Sequence, residues 1–253
     1  MWAARDLLVA LGMRDVRLRY KQTVLGVAWV VLQPLVAAGI LSVVFGMVAK
    51  LPSDGVPYFL FSYVGFLAWN AFQSTLTRAG TSLVQHQNLL TKVYFPRLLL
   101  PLSTLFATTL DFLVGSALLA VLLVWYGVRL HPAVVAVPLL FASLQLFALG
   151  IGFVVATAAA RYRDVQHLLP VATQFLLYAS PVAYAISAVP PHLQRAFLFN
   201  PLTSLFEAFR WTLLGTGRPS WPALGYSVLM GVAAFGLGAW VFRRAEAQLA
   251  DVI

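Results

Sequence analysis

Two stripes of side chains hold most of the chemistry in this sequence. Gln22, Gly26, Trp29 and Gln33 recur at intervals of 4, 3 and 4 residues, and Pro170, Gln174, Tyr178, Pro181 and Tyr184 at 4, 4, 3 and 3. Both sets interrupt apolar runs, and such spacing brings each to one face of a helix. Carboxamides and phenol hydroxyls exchange hydrogen bonds without carrying charge. Each face therefore suits a buried contact with another helix or the wall of an aqueous path, and lipid rewards neither. A third set, Thr104, Thr108, Asp111 and Gly115, repeats at the same period. A carboxylate at bilayer depth costs roughly 2.5–3.5 kcal/mol, which the leucines around Asp111 outweigh. Interhelical hydrogen bonding is the plainer use for it, and a proton relay the alternative.

Hydrolytic and nucleotide chemistry has no such footing. There is no G-x-x-x-x-G-K-[ST] phosphate loop, so this chain has no ATP site of that kind. G-x-S-x-G, H-E-x-x-H and paired carboxylates are also missing, and Asp15 and Asp164 sit in charged interfacial segments. His86, His131, His167 and His192 stand too far apart to form a metal-ligand pair at helical spacing. With 0 cysteines, disulfides and thiolate sites are excluded.

The elements that must position these residues are membrane helices. Of 253 residues 61% are hydrophobic and 10% charged, with a mean hydropathy of +0.85; a soluble domain carries roughly 25% charged residues. The first twenty residues lack the apolar core and cleavage site of a signal peptide. A hydrocarbon core of about 30 Å needs about 20 apolar residues, and six segments qualify: about 24–49, 58–77, 98–126, 132–158, 168–188 and 222–242. Asn70 and Gln73 interrupt the second. An even count puts both termini on one side, and that side receives 12 of the 17 Lys and Arg, which makes it cytoplasmic. The net charge of +9 follows from this bias and needs no nucleic-acid partner. The fold class expected is all-α, a single transmembrane domain over residues 1–253.

Three segments between the spans are too structured for plain loops. Residues 1–22 read as an interfacial helix, with Val9, Met13, Val16 and Tyr20 on one arc and Arg14, Arg17, Arg19 and Lys21 elsewhere. It serves as a surface anchor or as a movable collar at a cytoplasmic mouth. The loop "TSLVQHQNLLTKVYFPRL" keeps Leu83, Leu89, Leu90, Val93, Tyr94 and Phe95 among polar residues, and Pro96 ends any short helix there. Such a loop docks on a partner subunit or on the N-terminal helix. On the outer side "NPLTSLFEAFRWTLLG" has Asn200 as N-cap, Pro201 at the first helical position and Gly215 as stop. About 14 residues reach only ~21 Å, so this helix is re-entrant or lies on the outer face, with Glu207 and Arg210 paired locally.

Four pieces in order, "RDVRLRYKQTVLGVAWVVLQPL", "NLLTKVYFPRLLLP", "RDVQHLLPVATQFLLYASPVAY" and "NPLTSLFEAFR", give the chain a wider likeness. Over nearly its whole length it resembles the membrane subunits of ABC-type polysaccharide exporters, the permeases for O-antigen, teichoic acid and capsule chains. The resemblance implies a homodimer in the bacterial cytoplasmic membrane carrying two copies of a separate cytoplasmic ATPase. ATP and Mg would be held there, with no cofactor in this chain. It implies six spans, a coupling helix between spans two and three, and short re-entrant helices between spans five and six. A lipid-linked polysaccharide would pass between the two permeases, along Trp29, Gln33, Gln174, Tyr178 and Tyr184, with Pro170 and Pro181 shaping the fifth helix. Aromatic faces suit sugars because a pyranose turns C–H groups toward a ring. Arg14, Arg17, Arg19, Tyr20 and Lys21 would form the cytoplasmic gate. Gln87, Asn88, Lys92, Phe95, Arg97, Arg161 and Asp164 would couple to the ATPase. The alternatives are an ABC exporter of lipids or drugs, a proton-coupled transporter working through Asp111, and a membrane scaffold that transports nothing.

Overall fold

The computed structural model describes residues 2–21, 27–90, 95–217 and 219–249, with residues 2–4, 18–21, 27–30, 88, 90 and 247–249 described through their backbone alone. Long apolar runs must satisfy their own backbone hydrogen bonds in lipid, and helices do so locally. No strand occurs among the described residues. The elements are α1 (Trp2–Lys21), α2 (Val27–Leu41) continuing as a π-helical stretch (Ser42–Val48), α3 (Tyr58–Gln85) and α4 (Gln87–Leu90). There follow α5 (Leu99–Trp125), α6 (Val137–Arg161), α7 (Asp164–Tyr178), α8 (Pro191–Leu198), α9 (Pro201–Leu214) and α10 (Trp221–Leu249).

Among the described residues four helical stretches are long and apolar enough to cross a membrane: Val31–Val48, Leu99–Trp125, Pro132–Arg161 and Trp221–Glu246. α3 is 28 residues long but too polar to count with them. Its polar groups are solvated by protein instead. The Trp69 indole donates to Gln73 Oε1 at 2.8 Å, and the Tyr63 hydroxyl donates to the Gly115 carbonyl at 2.9 Å. α3 is the central pillar, carrying the buried Phe61, Tyr63, Trp69 and Phe72, with α5 and α6 against it. α6 in turn runs along α10 with their backbones touching: a Cβ on Gly238 would overlap the Gly150 carbonyl oxygen. In lipid, where burying apolar surface gives no advantage, such close backbone packing drives helix association.

Helix α1 is docked on α5 through Leu7, Leu8 and Leu11, and Gly12 lies against the Phe106 ring. Val9 and Met13, on the apolar arc read from the sequence, are each 43% exposed and so lie off the face that meets α5. The fifth helix, expected to run to about residue 188, ends at Tyr178. Pro181 explains the stop: it has no N–H to give Leu177, and it disfavours helical backbone at Ser180. α9 follows its local signals. Asn200 Oδ1 accepts from the Leu202 N–H at 3.0 Å, Pro201 opens the helix, and Gly215 closes it at φ 71°. Gln22 and Gly26, the start of the first stripe, lie outside the described residues.

Candidate functional site

Beyond Tyr178 the carbonyls of the chain lose the helical donors they would have met, and the side chains of three distant residues replace them. Asn200 Nδ2 donates to the Ala179 carbonyl at 3.2 Å, and the Tyr58 hydroxyl donates to that of Ala183. Arg210 Nη2 donates to Pro181 O at 2.7 Å and Val182 O at 2.6 Å. Its Nη1 donates to Glu207 Oε1 at 3.1 Å and to Tyr184 O at 3.4 Å. The guanidinium is 1% exposed and lies 4.0 Å from the centre of the Phe61 ring. Beneath it α3 carries Gly65, where a Cβ would overlap the Val182 carbonyl oxygen. Tyr184 closes the arrangement, its hydroxyl donating to the Tyr178 carbonyl at 2.9 Å. The local Glu207–Arg210 pair read from the sequence is thus present inside a larger web. The sequence reading missed the web; an arginine in an apolar helix downstream of a proline was the signal that could have found it.

Along α7 the stripe holds as far as the helix does. Pro170, Gln174 and Tyr178 are exposed, while the buried face consists of Leu169 and Thr173. Past the break Pro181 turns inward and Tyr184 is half-buried, so the last two members leave the common face. On α2, Gln33 is exposed together with Leu32, Val36 and Ile40, and the side chain of Trp29 lies outside the described residues. α2 and α7 both rest on α3 and leave uncovered apolar faces studded with these polar and aromatic groups. Behind Gln33, a cavity of about 50 Å³ is lined by Pro34, Asn70, Ser74, Thr108 and Asp111. That is room for a water or two. Asp111 therefore faces polar side chains of α2 and α3.

At the far end of α3, Asp15 on α1 meets the residue that ends the helix. Asp15 Oδ1 lies 3.0 Å from Arg14 Nη2 and 3.8 Å from His86 Nε2. His86 Nδ1 sits 2.9 Å from the Ser82 carbonyl, which requires its proton on that nitrogen. The facing Asp15 carboxylate raises the His86 pKa above the histidine value of 6.5, burial opposing it and the Ser82 carbonyl adding to it. For Asp15, burial pulls the pKa up, but His86 and Arg14 outweigh it and hold the carboxyl below 3.8. Arg17 is exposed; the side chains of Arg19, Tyr20 and Lys21 lie outside the described residues.

Of the residues assigned to coupling, Gln87, Arg161 and Asp164 are exposed. Gln87 and Arg161 share the rim of a cavity of about 420 Å³ with Arg163, Gln166 and His167, over a floor of Leu83, Val84, Ala159 and Ala160. Phe95 does not join them. It is 8% exposed and belongs to an apolar cluster with Leu11, Leu83 and Leu99, so it anchors the loop on α1 and α3. Arg97 is tied to the end of α10, its N–H donating to Glu246 Oε1 at 2.9 Å. The side chain of Asn88 and the whole of Lys92 lie outside the described residues.

The family model described as "ABC-2 type transporter" matches residues 6–214. The chain is 26% identical over 249 residues to the O-antigen export system permease protein RfbA of Klebsiella pneumoniae, spanning 98% of this chain and 95% of that protein. A protein of the same name from Myxococcus xanthus is 27% identical over 212 residues, 83% of this chain and 81% of its own length. The polysialic acid transport protein KpsM of Escherichia coli is 25% identical over 248 residues, 95% and 94% of the two chains.

Proposed function

The chain belongs to the ABC-2 type transporter family, and from that premise we propose that it is the permease subunit of an ATP-driven exporter of lipid-linked polysaccharide. The observation that carries this reading is the uncovered face of α7, where Gln174 and Tyr178 stand exposed beside Phe175 at 73%. Amide and aromatic groups together suit a sugar chain: the rings meet its C–H faces and the amide its hydroxyls. Relatives named for O-antigen export and polysialic acid transport, similar from end to end, support the same substrate class.

In this reading the chain has six spans. α3 is the second, solvated by protein rather than lipid, and α7 with residues 179–186 is the fifth. Both termini are cytoplasmic, in keeping with 12 of 17 Lys and Arg on that side. Two copies face each other across the exposed sides of α2 and α7, with Gln33, Gln174, Tyr178, Tyr184 and Trp29 along the path. Arg14, Arg17, Arg19, Tyr20 and Lys21 guard its cytoplasmic mouth. There the arginines' forked donors match the phosphate of a lipid carrier. Two separate ATPase subunits bind ATP and Mg and dock at Gln87, Asn88, Lys92, Arg161 and Asp164. Phe95 and Arg97 hold that loop in place. This chain transports and does not hydrolyse. The test is reconstitution with its ATPase in vesicles charged with lipid-linked glycan. ATP-dependent appearance of glycan on the far side supports the proposal; flux of lipid or drug with none of glycan overturns it.

A further inference from the structure

We propose that Arg210 is the positioning residue for the outer rim of the glycan path, its guanidinium replacing the helical donors lost after Tyr178 and so fixing Tyr184 and the end of α7. The inference rests on the reading of Tyr178 and Tyr184 as path-lining residues and goes beyond it in saying what sets their place.

α7 has 15 residues, about 22 Å of helix in a hydrocarbon core of about 30 Å. Residues 179–186 cover the remainder without a continuous helix. Irregular backbone is tolerated at that depth only where protein satisfies it, and five of the six carbonyls from Ala179 to Tyr184 show how. Asn200 takes Ala179, Tyr58 takes Ala183, and Arg210 alone takes Pro181, Val182 and Tyr184. A planar fork of donors reaches several acceptors at once; the point charge of a lysine does not. Glu207 neutralises the guanidinium and also accepts from the Ile186 N–H at 3.4 Å, so the same ion pair holds both sides of the break.

At 1% exposure Arg210 is closed to any substrate, so it acts through other residues. Tyr184 is the residue it acts through. That residue is fixed at both ends, its backbone carbonyl on Arg210 and its hydroxyl on the Tyr178 carbonyl, while its ring meets Phe197 edge-on at 6.2 Å. Loosening Arg210 therefore releases Tyr184 and its hold on the Tyr178 carbonyl, and leaves α7 before that last residue as it was.

The test uses the full transporter, permease with ATPase, in lipid nanodiscs. Nitroxide labels on Ser187→Cys, beyond the break, and Gln174→Cys, one turn inside the helix, report local mobility. Arg210→Lys keeps the charge and removes the fork. Gly65→Ala pushes the Val182 carbonyl off the same clamp from the α3 side. Each variant should free the label at position 187 and leave that at 174 unmoved. Each should also raise the half-saturating concentration of lipid-linked glycan for ATPase stimulation roughly fivefold, the scale of one net hydrogen bond, with a smaller change in maximal rate. Should the Arg210→Lys protein fail to accumulate, the Gly65→Ala protein decides alone. An unmoved label at 187, or equal loosening at both positions, overturns the proposal. Failure of the path reading is separate: cysteines at 174 and 178 of the otherwise unaltered protein would then resist hydrophilic thiol reagents, whatever the labels at 187 do.

Discussion

Raising the pH through the histidine range should loosen α1 from the body of the protein, and His86 is the reason. Its Nδ1 proton is committed to the Ser82 carbonyl, so neutral imidazole turns a lone pair on Nε2 toward the Asp15 carboxylate. Imidazolium turns a donor toward it. At 3.8 Å the bare attraction in a medium of effective dielectric ~20 is about 4 kcal/mol. Side-chain exposures of 17% and 18% mean that desolvation and ordering take back most of it, leaving about 1 kcal/mol, or roughly a factor of five. The folded-state pKa of His86 is raised above 6.5, so its contribution is complete below that value and fades as pH climbs through the raised one. Asp15, held below 3.8, loses its contribution only as pH falls through that lowered value and stays ionised throughout the window. Hydrogen exchange at α1 amides, corrected for intrinsic rates, is the assay. Protection should fall, by roughly fivefold in all, as the pH rises from below 6.5 through the raised pKa of His86. In His86→Gln it should be flat and low across the same range. An α1 whose protection ignores pH in the native protein, or keeps the same profile in His86→Gln, refutes the argument.

The exposed face of α7 predicts a labelling pattern: single cysteines at Gln174 and Tyr178 should react with small hydrophilic thiol reagents, while those at Leu169 and Thr173, 6% and 2% exposed, stay protected. The contact between α6 and α10 predicts a steric asymmetry. Gly238→Ala should cost about 1–3 kcal/mol because its methyl meets the Gly150 carbonyl, whereas Gly236→Ala, with open space around it, should leave the melting temperature unchanged. The inward turn of Phe95 separates anchoring from docking at the segment between α4 and α5. Phe95→Ala should lower thermal stability by about 3 kcal/mol, and Arg161→Glu should weaken ATPase capture without a comparable loss.

What the sequence determined by itself is what neighbouring residues decide among themselves. Asn200, Pro201 and Gly215 bracket α9 because cap, first turn and stop are all local, and α5, α6 and α10 follow from length and apolarity alone. The stripe of Pro170, Gln174 and Tyr178 was legible for the same reason, since helical period is a property of the chain. Its continuation to Pro181 and Tyr184 was not. The apolar run passes through the break without a change of composition, and whether a proline stops a membrane helix depends on donors waiting for the freed carbonyls. Here they come from Asn200 and Arg210, 21 and 29 residues from the groups they serve, and from Tyr58, 125 residues away. The same holds for Phe95, which looked like a docking residue until Leu11 and Leu83 arrived from other helices to cover it. It holds as well for α3, whose polar residues weaken its hydropathy and whose burial among α5, α6 and α9 makes them harmless. Period, caps and span length are short-range quantities. Where a helix breaks and which of its faces stays open are settled by contacts between residues far apart in the chain, and those exist only once the helices have packed.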